Sequence, residues 1–187
     1  MKSGFTIGKR LNPPCIISNN CWGTYVYQKL GGEYHSPLVN LFMAPSCYIK
    51  LTSSLRDYLS RPLVFVDRSM HDFANANRET YKNNYPIGLL GDVELHFLHY
   101  DSCEEAAEKW LRRSQRVDFD NLFFKFDDTN GATGEQIELF DALPYERKVC
   151  FSAKPMPHLK SVRYIESGTD HVPLPMQPLE EFVQMFR

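Results

Sequence analysis

The 187-residue sequence has no apolar run near the roughly 20 residues a helix needs to cross a bilayer. Its opening, MKSGFTIGKRLNPP, holds no apolar stretch of the length a secretory signal requires. It also lacks any CxxC pair. The five cysteines, at positions 15, 21, 47, 103 and 150, are odd in number and scattered, which argues against a disulfide framework and a structural zinc site. Reduced thiols in a cytoplasmic protein are the simplest reading. Neither sign of charge dominates, with 21 Lys and Arg against 23 Asp and Glu. A formal charge of −2 and a pI near 6.3 give the chain no electrostatic bias toward nucleic acid or an anionic membrane. Neither a GxGxxG nor a P-loop is present, so no nucleotide and no particular cofactor is indicated.

What is present is an ordinary globular composition, 43% hydrophobic and 24% charged, with thirteen Phe and ten Tyr. A chain of this length suits a single domain over residues 1–187, with an aromatic-rich core. Short apolar runs at 15–18, 38–43, 63–66, 121–126, 148–153 and 161–165 read as strands. Between them lie helical patterns. Residues 24–30 stop at Gly31-Gly32, and a helix capped by Ser46 runs to Pro62. Ser102 with Glu105, and Thr133 with Gln136, have the spacing of capping boxes. The first of these helices turns Ala107, Trp110 and Leu111 inward, and a last helix begins at Pro178. Residues 67–85 are polar and weakly periodic, which predicts a lid or a disordered loop.

Strands separated by helices predict an α/β fold: a mainly parallel sheet with helices on both faces, in Rossmann-like layering. An antiparallel hairpin or one long strand is expected at 86–100, around the turn-forming Gly91-Asp92. A second antiparallel edge is expected at 148–165, where no helix intervenes.

In such a sheet ligands bind beyond the carboxyl ends of the strands. Ser18, Asn19 and Asn20 stand at the tip of the first strand, followed by Cys21, Trp22 and Gly23. Two carboxamides and a hydroxyl beside helix amides suit a sugar hydroxyl, a phosphate or a carboxylate. The alternative is an Asx-type turn that satisfies only local backbone. Cys21 is either a nucleophile activated at a helix start or a small buried hydrophobe. In GDVELHFLHYDS, Glu94 and His96 share one strand face and with Asp92 make an acid/base couple or part of a metal site, or else Asp92 only sits in the turn and His99 only hydrogen-bonds at the strand end. Asp127 and Asp128 end a strand, where they either hold a divalent metal or shape a turn.

The motifs IISNNCWG, SPLVNLF, YIKL, YPIGLLGDVELHFLHY, EEAAEKWLRR and KVCF, in this order, resemble the bacterial domain of unknown function 1919. Two positions depart from that pattern: Thr24 and Asn40 stand where many members have glycine. The resemblance implies an α/β fold and a role near exopolysaccharide or capsule assembly. It supplies no catalytic residue. Together these readings predict a sugar or nucleotide-sugar group transferase, with Ser18, Asn19, Asn20 and Trp22 binding substrate and His96 with Glu94 or Asp92 moving the proton. A non-catalytic glycan-binding or scaffold protein, and a Cys21-dependent acyltransferase or hydrolase, remain as alternatives.

Overall fold

In the computed structural model, residues 13–187 are described; the stretch read for a signal peptide falls largely before them. Strand β1 (Cys15–Ser18) leads into helix α1 (Trp22–Leu30), which Gly31 ends in the left-handed region at φ 68°, as its sequence position predicts. The run at 38–43 does not form a strand. Asn40 at φ 63° breaks the extended chain, and only Phe42 pairs, antiparallel, with His96.

The helix expected from Ser46 is two helices, α2 (Pro45–Ser53) and α3 (Leu55–Ser60), and Pro45 rather than Ser46 opens the first. The hydroxyls of Thr52 and Ser53 donate back to the Ile49 carbonyl, and Ser54, at φ −146°, interrupts the helix. After β2 (Val64–Val66) the segment read as a lid or loop carries α4 (Asp72–Tyr81). Strands β3 (Ile87–Leu90) and β4 (Val93–His96) form the expected hairpin, turning at Gly91 with φ 65°. With β2 they make a three-stranded antiparallel sheet.

Helix α5 (Cys103–Ser114) starts on Ser102, whose hydroxyl accepts the Glu105 amide, while the Glu105 carboxylate reaches the Asp101 amide instead of closing the box on Ser102. Leu111 faces solvent at 62% exposure, not the core; Arg113 is buried in its stead, donating to the Tyr100 hydroxyl at 2.5 Å. Strand β5 (Leu122–Asp127) precedes α6 (Gly134–Asp141), whose Thr133–Gln136 capping box is complete. Strands β6 (Lys148–Ser152) and β7 (Val162–Tyr164) follow, then a 3₁₀ turn (Leu174–Met176) and α7 (Glu180–Met185), which starts two residues after Pro178.

The main sheet runs β1-β5-β6-β7 and every pairing in it is parallel. The antiparallel edge expected at 148–165 is therefore corrected. A nine-residue irregular link carries the chain from the end of β6 back to the start of β7 without a helix, shorter than the dozen or so residues a parallel crossover ordinarily takes. Alternation along β5 assigns its two faces. Phe126 packs with Tyr48 of α2 and Phe140 of α6 and Phe124 stacks on Tyr145 in the same cluster, whereas Phe123 packs with Trp22 of α1 and Phe182 of α7. Helices thus cover both faces, and the carboxyl ends of β1 and β5 lie side by side.

Candidate functional site

Ser18 of β1 is in register with Lys125 of β5, so the loop after β1 and the last residues of β5 meet at one point. Lys125 and Asp127 project from the same face of β5, and both are fully buried. The Lys125 ammonium pairs with the Asp127 carboxylate and donates to Asn20 Oδ1 at 3.0 Å and Asn19 Oδ1 at 3.3 Å. Asp127 in turn accepts from Asn19 Nδ2 at 2.9 Å, Asn20 Nδ2 at 2.5 Å, Gln177 Nε2 at 2.7 Å and Thr129 Oγ1 at 2.5 Å. Burial by itself would raise this carboxyl, but the Lys125 charge and the hydrogen bonds outweigh it and hold it at about 2. Burial also pushes the Lys125 ammonium down, with Asp127 opposing.

The two asparagines are therefore interior residues of a polar plug at the strand tips, not the free cradle expected of them. Asn19 is engaged on both amide atoms, and Ser18 accepts the Asn20 amide at 3.5 Å. Asn20 also forms the expected Asx-type contact, its Oδ1 accepting the Trp22 amide at 3.2 Å. Trp22 is buried in the core and donates to the Pro178 carbonyl at 2.9 Å. Asp128 does structural work too, accepting the amides of Ala153 at 2.6 Å and Val172 at 2.7 Å. No group of three or more His, Cys, Asp or Glu side chains gathers as a metal site among the described residues.

Directly over this plug opens a hollow of about 380 Å³, within the range of small-molecule sites. Asn20, Cys21 and Thr129 form its floor. Phe42 and Tyr85 with Leu98 make one wall, and α4 supplies Asn77 and Tyr81 at the rim. Asn83, Asn130 and Leu174 complete it. Tyr81 stands 75% exposed at the mouth. Among the described residues no Lys, Arg, Asp or Glu lines the hollow.

The histidine-bearing segment adjoins the same place without opening onto it. Phe42 bonds His96 through both backbone groups at 3.0 Å, and the next residue, Met43, bonds the Asn19 carbonyl at 2.9 Å. The His96 ring, however, is fully buried, with Phe42 stacked on it and Tyr85 at its edge. Its Nε2 lies 2.7 Å from Glu94 Oε1, and its Nδ1 has no hydrogen-bond partner among the described residues. Burial drives the imidazole pKa down despite the carboxylate. Glu94 is held ionised against its own burial by His96, the Ser69 hydroxyl and the Met70 amide, so the couple fastens the chain ahead of α4. Asp92, at the far end of β4, accepts from Lys50 and Tyr58, both at 2.9 Å, on the surface.

Of the residues singled out in the sequence, the structure brings Asn20 and Cys21 to the hollow and places Ser18, Asn19 and Asp127 beneath it. Glu94 and His96 lie behind Phe42. The sequence reading missed Lys125, Gln177 and the wall residues Asn77, Tyr81, Asn83 and Tyr85. A lysine inside the aromatic strand FKFD was the one available signal, since an unpaired charge does not persist there.

The model of the domain of unknown function family DUF1919 matches residues 7–175, and the chain belongs to that family. An uncharacterized protein of Haemophilus influenzae is 39% identical over 151 residues, covering 81% of this chain and 67% of the relative. Among the described residues no helix is long and apolar enough to cross a membrane.

Proposed function

We propose, from that family membership and this site, that the protein binds an uncharged saccharide in the hollow above the Lys125–Asp127 plug. In this reading it serves exopolysaccharide or capsule assembly in the cytoplasm, the role the family resemblance implies. One observation carries the reading: above the floor at Asn20 the hollow combines three carboxamides, Asn77, Asn83 and Asn130, with the rings of Phe42, Tyr81 and Tyr85, and the described residues lining it carry no formal charge. Amides donate to and accept from sugar hydroxyls, and aromatic faces cover the apolar face of a pyranose. A nucleotide diphosphate calls for cationic partners or free helix amides, and the Trp22 amide at the start of α1 is already taken by Asn20.

Group transfer needs a base or a nucleophile facing the ligand. Burial pushes the Cys21 thiol up to about 11, so it is protonated at neutral pH, and His96 with Glu94 sits behind Phe42. Glycan binding therefore stands ahead of the transferase reading and of the cysteine-dependent acyltransferase or hydrolase. Thermal shift with neutral sugars, nucleotide-sugars and nucleoside diphosphates tests it. A neutral sugar at a hundred times its dissociation constant should stabilise the protein by about 2.7 kcal/mol, and Tyr85→Ala should abolish the shift. Stabilisation by nucleoside diphosphates and not by sugars would refute it.

A further inference from the structure

Tyr85 borders a second concavity as well as the hollow. On the far side of the wall made by Asn83, Tyr85 and Leu98 lies a second, more open depression of about 510 Å³, which shares those three residues and adds Asn84, His99, Tyr100 and Asp101. The two concavities border the same three residues and so lie side by side. Their chemistries differ in a useful way, because the first is walled by rings and the second is almost wholly polar.

The second depression is firmly based. The Tyr100 hydroxyl donates to the Val39 carbonyl at 2.6 Å, and the His99 amide reaches the Asn40 carbonyl at 3.4 Å. Asp101 is anchored by its backbone amide on Glu105 at 2.8 Å. The outward-facing His99 ring and Asp101 carboxylate are thus set by their backbones and stay exposed. The nearby cations are committed elsewhere: Lys109 pairs with Glu105, and Arg113 donates to Tyr100.

Resting on the saccharide reading of the first hollow, we infer that this depression is a second sugar subsite, and that the ligand is an oligosaccharide of at least two uncharged units crossing Tyr85. Asn84, His99 and Asp101 supply donors and acceptors for the hydroxyls of the second unit. A carboxylate whose neighbouring cations Lys109 and Arg113 are already paired disfavours a uronic acid or a phosphorylated sugar there.

Calorimetric titration of the full chain with a neutral monosaccharide, the disaccharide built from it, and a disaccharide ending in a uronic acid tests this. The neutral disaccharide should bind about tenfold or more tighter than its monosaccharide, a difference of about 1.4 kcal/mol. The uronic acid should erase that gain. The double variant Asn84→Ala/His99→Ala should bring the disaccharide down to the monosaccharide's affinity and leave the monosaccharide unchanged, with an unaltered melting temperature confirming the fold. Equal binding of mono- and disaccharide, or a double variant without effect, overturns the second subsite alone. Failure of every sugar to bind overturns the first hollow's assignment and this one with it.

Discussion

The ring of Phe42 lies over the imidazole of His96 with centroids 4.2 Å apart and planes inclined by 14°. That stack closes the polar couple of β4 off from the neighbouring hollow. It turns a pair that looks catalytic in the sequence into a buried fastening for the segment leading to α4.

A neutral imidazole kept from water makes stability depend on pH. The folded pKa of His96 lies below its ordinary value of 6.5, so the unfolded chain binds the proton first. Its contribution is complete above pH 6.5 and is lost as pH falls below it. Melting temperature should decline from pH 7 toward 5 in the wild type and decline less in His96→Phe. Phe42→Ala should admit water and raise the His96 pKa toward 6.5, read by proton NMR titration.

Lys125 and Asp127 predict a larger effect. Lys125→Met leaves a carboxylate buried without its cation, which costs about 3–5 kcal/mol. Urea denaturation at pH 7 should show that loss. The wild-type Asp127 contribution is present above the ordinary carboxyl value of 3.8 and is lost as pH falls through about 2. The gap between wild type and variant should therefore narrow between pH 4 and 2. A gap that stays constant through that range would mean the pair is not ionised.

Asn40 sits at φ 63°, and its amide donates to the Thr24 hydroxyl at 2.9 Å. Thr24 and Asn40, sixteen residues apart in the chain, are thus bonded to each other. Asn40→Gly should leave stability within a few tenths of a kcal/mol, because both residues visit the left-handed region. Asn40→Val should cost about 1–2 kcal/mol. Thr24→Val, which strands the Asn40 amide, should cost about 1 kcal/mol. Chemical denaturation of the three variants separates these outcomes.

Helix α4 buries only Ala74 and Asn75, whereas α5 buries Trp110 and the hydrogen-bonded Arg113. Backbone amides late in α4 should exchange with deuterium well before those in the middle of α5. Because Asn77 and Tyr81 line the hollow, a bound saccharide should slow them selectively. Mass-spectrometric exchange with and without the sugar gives the answer. Unchanged α4 exchange at saturation would remove that helix from the site.

Signals that act within a few residues were legible in the sequence. Thr133 caps α6 through atoms three residues away, Gly31 can turn left-handed where α1 stops, and Gly91 turns the β3–β4 hairpin. Each needs only local backbone geometry, so residue type and spacing determine it. Alternating apolar runs and amphipathic helices carried the α/β layering in the same way. Tertiary packing alone decided the rest. The parallel direction of β7 depends on how a helix-free link lies across the sheet end. The Asn19–Asp127 bond joins residues 108 apart, and the burial of His96 depends on a ring 54 positions earlier in the chain. No local preference encodes such meetings, because they follow from which surfaces bury the most area together while leaving no charge unpaired.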